Sequence, residues 1–144
     1  MRIAMIPARM GSQRLKQKNL REINGVSLIA YAIRKAKAAY VFDEIWVNSE
    51  HPTFGDIADR EGVFFHRRPD DLADNTATNE DFVYEFLTHH PCGDLIQVHS
   101  IAPLLSVEQT ADFTRVMANG EFDVLLSVVN EQIEWGASGV SDKI

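Results

Sequence analysis

Between residues 9 and 21 the chain carries Arg9, Arg14, Lys16, Lys18 and Arg21, and no acidic residue. The same stretch holds Gly11 and Ser12. Together these types suit one kind of chemistry: backbone and hydroxyl donors approach an anion closely while guanidinium and ammonium groups neutralise it. The chain has a formal net charge of -7, so the remainder carries -12 against the +5 of this stretch. A cationic loop on an anionic body points to a local polyanion site and away from a surface that coats nucleic acid. A solvated basic loop is the plain alternative, because Lys and Arg are mostly exposed.

The elements around the loop must hold it at the end of a sheet. Ile3-Ala4-Met5-Ile6 is a short apolar run that predicts a buried strand, ending at Pro7, which cannot donate to an interior ladder. Strand, small-residue basic loop, then helix is how α/β proteins hold phosphates at a strand's carboxyl end. Helices are predicted over residues 27–39 with Ser27 as cap, and over 52–61 closed by Gly62. Two more are predicted over 79–90, and from the Ser106–Gln109 capping-box spacing to about residue 117. Leu28, Ile29, Ala32, Ile33 and Ala36 make the first helix's apolar stripe, with Arg34, Lys35 and Lys37 largely elsewhere; Phe82, Val83, Phe86 and Leu87 make the third's. Strands are predicted over 44–49, 63–66, 95–100 and 124–129, the last an apolar run of the kind buried on both faces. The tail from Trp135 shows no convincing final strand. Alternating strands and helices predict an α/β fold with a mainly parallel sheet flanked by helices.

At 144 residues and 45% hydrophobic content, the chain can bury one core, so residues 1–144 are expected to form a single domain. No apolar run approaches a membrane span, and no signal-peptide core opens the chain, which predicts a cytoplasmic protein without a membrane partner. The single Cys92 has no internal disulfide partner and reads as an ordinary thiol. His51, His66, His89 and His90 show no convergent ligand spacing and read as surface or satisfied core residues.

Pro7-Ala8-Arg9-Met10-Gly11-Ser12-Gln13-Arg14, then Lys18-Asn19, then Asn24-Gly25-Val26-Ser27-Leu28-Ile29-Ala30-Tyr31 resembles the start of the sugar-activating cytidylyltransferases. The likeness is greatest to the acylneuraminate (CMP-sialic acid) synthetases, with the CMP-Kdo synthetases as cousins. No P-loop signature is present. A second segment, Arg68-Pro69-Asp70-Asp71-Leu72-Ala73-Asp74-Asn75-Thr76-Ala77-Thr78, matches the family's R-P-x-x-L-A-x-D-T-A-S-S run, with Asn75 where the family has Asp. In the third, Val98-His99-Ser100-Ile101-Ala102-Pro103-Leu104-Leu105, only Pro103-Leu104 matches. Ile101 stands at the Kdo enzymes' metal-holding aspartate and Leu105 at the sialic-acid enzymes' arginine.

The resemblance implies a Rossmann-like nucleotidyltransferase fold, a three-layer sandwich lacking its C-terminal part, since whole family members are about half as long again. It implies transfer of CMP from CTP to an acidic nonulosonic-type sugar, releasing pyrophosphate. Arg9 and Lys18 fall at phosphate-stabilising positions and are the implied catalytic residues; Gln13 stands where many relatives have Lys. Ala8, Gly11, Ser12, Arg14, Asn19, Arg68, Thr76 and Thr78 are the implied nucleotide contacts, Asn19 and Arg68 reading the pyrimidine. His99 is the implied sugar contact. Mg²⁺ is expected as cofactor, with no identifiable carboxylate cage. Relatives pair as homodimers through segments largely beyond Ile144. Two alternatives stay open: an inactive or truncated nucleotide-binding module, and a sugar nucleotidyltransferase using another base.

Overall fold

Alternation along the first strand builds the two sides of the molecule. The structure, a computed structural model, describes residues 1–11, 17–101, 105–126 and the backbone of 132–134 and 141–143. Strand β1 (Arg2–Pro7) sends Ala4 and Ile6 to one face and Ile3 and Met5 to the other, and all four are fully buried. A strand covered on both faces reads as a continuous apolar run for this reason.

A 3-10 turn at Lys18–Leu20 leads into the antiparallel hairpin β2 (Glu22–Ile23) and β3 (Val26–Ser27). Asn24 and Gly25 have φ of 53° and 78°, which the tight two-residue connection requires. The sequence signals that turn, but strands this short show no alternation. Helix α1 (Leu28–Ala39) starts at Ser27, whose hydroxyl accepts from Ala30 N, and buries Ile29, Ala32, Ile33 and Ala36. Arg34 and Lys37 are exposed as expected, whereas Lys35 is buried and its ammonium pKa is lowered by that burial.

Strand β4 (Glu44–Ser49) and helix α2 (Pro52–Glu61) have the predicted bounds. Gly62, at φ 71°, closes α2 by donating its N–H to the Ala58 and Asp59 carbonyls. Strand β5 (Phe64–Arg67), helix α3 (Asn79–His89), strand β6 (Asp94–Gln97) and helix α4 (Val107–Asn119) complete the main body. Thr78–Asp81 and Ser106–Gln109 form reciprocal capping boxes at the starts of α3 and α4.

The sheet is parallel with order β5-β4-β1-β6. Phe54, Ile57 and Ala58 of α2 join the α1 stripe over Ala4, Ile6 and Val47, and α4 packs beside α1. On the opposite face Phe86 of α3 covers Ile3 and Met5, with Phe82 and Val83 partly buried beside it. The chain therefore steps outward from β1 to β4 and β5, and α3 then carries it back to β6 on the other side of β1.

Three expectations are corrected. The strand expected over 95–100 ends at Gln97. Val98 N still donates to Met5 O at 2.9 Å, and in the parallel register the next bond would come from the N–H that Pro7 lacks. On its other edge β1 continues, with Ala8 N donating to Asn48 O at 3.0 Å. Pro7 thus parts β1 from β6 while keeping β1 on β4. Second, the run at 124–129 is not a strand where it is described: residues 124–126 have no regular structure, with Val124 and Leu126 72% and 75% exposed, and 127–129 lie outside the described residues. An apolar run makes a doubly covered strand only where neighbours cover it, and no described element does so here. Third, the tail contains a strand: β8 (Ser141–Lys143) pairs antiparallel with β7 (Gln132–Glu134). Its polar composition carries no apolar alternation to signal it.

Candidate nucleotide site

Where β1 and β6 separate, a crevice of about 230 Å³ opens at the carboxyl end of the sheet. The loop after β1 contributes Ala8, Arg9, Lys18 and Asn19 to its lining. Facing them are His99 and Ser100 from the segment after β6, and Phe82 from α3. This is the point where strand order reverses, which in open α/β sheets is where ligands bind.

Buried polar contacts fix the walls. Asn19 is 4% exposed; its Nδ2 donates to Arg9 O at 3.3 Å and its Oδ1 accepts from the Ser100 hydroxyl. Asn19 therefore joins the two loops across the crevice. Arg9 reaches a third segment, donating from Nη1 to Asp74 O at 3.3 Å and to Asn75 Oδ1 at 3.2 Å. Because residue 75 is a neutral amide, Arg9 makes no direct ion pair through it, and the nearest charge offset is the neighbouring Asp74 carboxylate, whose pKa Arg9 helps to lower. The Asp74 carboxylate is engaged locally, accepting from Thr76 Oγ1 and N and from Ala77 N. The Thr76 hydroxyl contact is the largest cause holding its pKa below the usual range.

Arg68 lies behind the crevice and is 3% exposed. Its Nε and Nη2 donate to Asn48 Oδ1 at 3.0 Å and Asn48 O at 2.9 Å, and its guanidinium carbon sits 4.1 Å from the Phe82 ring centroid. Burial lowers its pKa to about 10, partly offset by Glu50 and Glu85, so it is cationic at neutral pH. Glu50, after β4, anchors the first loop by accepting from Met10 N at 2.7 Å. The His99 pKa is lowered, first by desolvation and then by the Lys18 charge, which keeps the imidazole neutral at pH 7.

Of the residues singled out from the sequence, Ala8, Arg9, Lys18, Asn19 and His99 converge on the crevice. Gly11 is exposed and outside its lining. Arg68 stands behind Phe82, Thr76 belongs to the loop that Arg9 grips, and the Thr78 hydroxyl caps α3 by accepting from Asp81 N at 3.2 Å. Ser12 and Arg14 lie outside the described residues. Ser100, Asn48 and Glu50 were not singled out, and Phe82 was read as core. The polar end of β4, Asn48-Ser49-Glu50, was the one signal that could have shown two of them, because an interior strand ends in polar residues where its backbone meets a site.

The described lining contains no carboxylate. A Mg²⁺ ion takes oxygen ligands, commonly one or two carboxylates with substrate phosphates, so these lining residues do not fit it.

A parallel sheet of this order, with cations at its point of reversal, defines an α/β nucleotide-binding fold. The chain belongs to the cytidylyltransferase family, whose model matches residues 3–138. It is 28% identical over 127 residues to N-acylneuraminate cytidylyltransferase A of Danio rerio, covering 88% of this chain and 30% of that protein. It is 31% identical over 110 residues to the pseudaminic acid cytidylyltransferase of Campylobacter jejuni subsp. jejuni serotype O:23/36 (strain 81-176), covering 72% of this chain and 47% of that protein. The chain thus spans about a third to a half of these relatives' length. Among solved structures, a CMP:2-keto-3-deoxy-manno-octonic acid synthetase complexed with CTP superposes with TM-score 0.72 at 20% identity, over 82% of this chain and 47% of that one. A cytidylyltransferase from Leptospira borgpetersenii serovar Hardjo-bovis (strain JB197) gives 0.68 at 16% identity, over 83% and 50%. No helix among the described residues is long and apolar enough to cross a membrane.

Proposed function

We propose that the β1/β6 crevice binds CTP, and that the protein transfers CMP from CTP to an acidic nonulosonic-type sugar, releasing pyrophosphate. The observation that carries this reading is the convergence of Arg9, Lys18 and Asn19 at the sheet's point of reversal, with no carboxylate in the described lining. The sugar's anomeric oxygen attacks the α-phosphorus and a P–O bond forms, while the α-phosphorus–bridging-oxygen bond breaks with its electron pair leaving on pyrophosphate and the hydroxyl proton passing to solvent. Such a transfer needs charge neutralisation and alignment more than covalent help. In this reading Arg9 presents a planar donor fork to the phosphates and Lys18 a movable point charge. Asn19 Nδ2 has a second N–H beyond its bond to Arg9 O, and that N–H is the proposed donor to the pyrimidine edge. Arg68 supports that wall through Asn48 and the Phe82 ring. His99, neutral and on the facing wall, is the proposed sugar contact. Mg²⁺ is proposed only from family membership, and its ligands would lie beyond the described lining.

Calorimetric titration with CTP, repeated with GTP and with and without Mg²⁺, tests the reading. Charge-assisted hydrogen bonds contribute about 1.5–3 kcal/mol each, so the Arg9→Ala, Lys18→Ala double variant should bind CTP about 10²- to 10⁴-fold more weakly. Selective CTP binding lost in that variant supports the site, and pyrophosphate release with a nonulosonic acid supports turnover. No CTP binding by protein with native circular dichroism would overturn the assignment.

A further inference from the structure

Outside the crevice, one cluster of side chains has neither a role in the proposed reaction nor a signal in the sequence. His66 on β5 and Glu85 and His89 on α3 bring one donor atom each to within 4.8 Å of one another. His66 Nε2 lies 2.8 Å from Glu85 Oε2, and His89 Nδ1 lies 3.3 Å from Glu85 Oε1 and 3.0 Å from the Glu85 carbonyl, a backbone contact that ligation through Nδ1 would replace. Glu85 and His89 are four residues apart on α3, which puts them on one helix face, and β5 supplies the third group from across the helix–sheet interface.

We propose that His66, Glu85 and His89 form a binding site for a borderline divalent transition-metal ion, Zn²⁺ above all, that clamps α3 to the sheet edge. Two imidazoles and a carboxylate suit Zn²⁺, whereas Mg²⁺ and Ca²⁺ want mostly oxygen. Bond lengths of about 2.0–2.2 Å in tetrahedral geometry place neighbouring donor atoms roughly 3.3 Å apart. The donor spacings run from 2.8 Å up to at most 4.8 Å and so include that value.

The surroundings support it. His66 is 7% exposed, so this donor is held in place rather than free to swing in solvent. Its other nitrogen, Nδ1, lies 3.0 Å from His90 Nε2. A metal on His66 Nε2 puts the remaining proton on Nδ1, where it donates to His90, the outer contact that orients metal-bound histidines. His89 is exposed, which gives the ion an entry path and leaves a fourth position to water. The clamp would reach the crevice indirectly. Phe82, in the crevice wall, lies one turn before Glu85 and Phe86 on α3, and Arg68, which stacks on it, is two residues beyond His66.

The test is competition titration of the tag-free, EDTA-treated protein with Zn²⁺ against a chromophoric chelator, with Co²⁺ absorption as a report on coordination. One equivalent of Zn²⁺ is expected at micromolar affinity or tighter, with a rise in melting temperature as Zn²⁺ is added and no displacement by millimolar Mg²⁺. His89→Ala and Glu85→Gln should each weaken binding at least tenfold while circular dichroism stays native, and His51→Ala, outside the cluster, should bind as the wild type does. Failure of the folded wild-type protein to bind an equivalent of Zn²⁺ would overturn the proposal. So would binding that neither His89→Ala nor Glu85→Gln weakens. Neither result bears on CTP binding.

Discussion

The groove between α1, α2 and the β2–β3 hairpin, at about 510 Å³, is more than twice the size of the crevice between β1 and β6, at about 230 Å³. Both are lined by arginine, but the charges are arranged differently. In the groove, Arg34 makes a two-pronged contact with the Glu61 carboxylate at 2.9 and 3.1 Å, and Arg60, also in the lining, adds its charge to the field on Glu61. Glu61 accordingly has a lowered pKa, with the Arg34 hydrogen bond as the largest cause. In the crevice, Arg9 contacts a carbonyl and an amide oxygen, and no acid shares the described lining. Volume and charge therefore disagree about which concavity awaits an anion. Charge is the better guide, because an arginine already matched to a carboxylate must break that contact before it binds another anion. Placement agrees: the crevice lies at the carboxyl ends of the strands, and the groove lies between α1, α2 and the hairpin.

Substitutions in the two regions should separate them further. The largest effect on folding is expected for Arg68→Ala, which empties a buried position and leaves Asn48 Oδ1 without its charged donor. Such a loss costs about 2–4 kcal/mol, read as a lower urea midpoint at unchanged slope. If Arg68→Ala unfolds like the wild type, its buried contacts are not what holds the crevice wall. Arg34→Ala, in the groove, should lower stability much less and only at low salt, because an exposed pair is weak and screened; CTP affinity should not change. A drop in CTP affinity in Arg34→Ala would shift attention to the larger groove.

The smallest effect concerns His99. Lys18 is one of two causes lowering its pKa, so Lys18→Ala should raise the His99 titration midpoint toward the ordinary value near 6.5, as followed by NMR. The sign for stability follows. A histidine with a lowered native pKa takes up its proton on unfolding, so its contribution is present above pH of about 6.5 and is lost as pH falls through the native value. In Lys18→Ala this acid-side loss should shrink. An unchanged midpoint would mean that desolvation alone sets it.

Much of this fold was legible because its signals are local. Ser27, Gly62 and the Ser106–Gln109 spacing bound helices through contacts within one turn, and the residues between them supply the apolar stripe. Of the first loop's five cations, which are a feature of sequence alone, Arg9 and Lys18 line the crevice, Arg21 is exposed outside it, and Arg14 and Lys16 lie outside the described residues. What failed needed distant partners. The run at 124–129 has the composition of a buried strand, but neighbours decide whether such a run is covered. His66 and His89 have no ligand spacing along the chain, because one is on β5 and the other on α3, and only the crossover that packs this helix on the sheet brings them to Glu85. Arg68 shows the limit within a recognised motif: the resemblance implied contact with a base, and in the structure the side chain is buried on Asn48 and Phe82. By itself the sequence determined the alternation of elements, their caps and the family, through short-range hydrogen bonding and hydrophobic periodicity. Only the tertiary structure decided that Pro7 would part β1 from β6 and that Asn19 would meet Ser100 across the gap. Which cations face an opening and which face a carboxylate depends on contacts between segments far apart in the chain, and no local pattern encodes them.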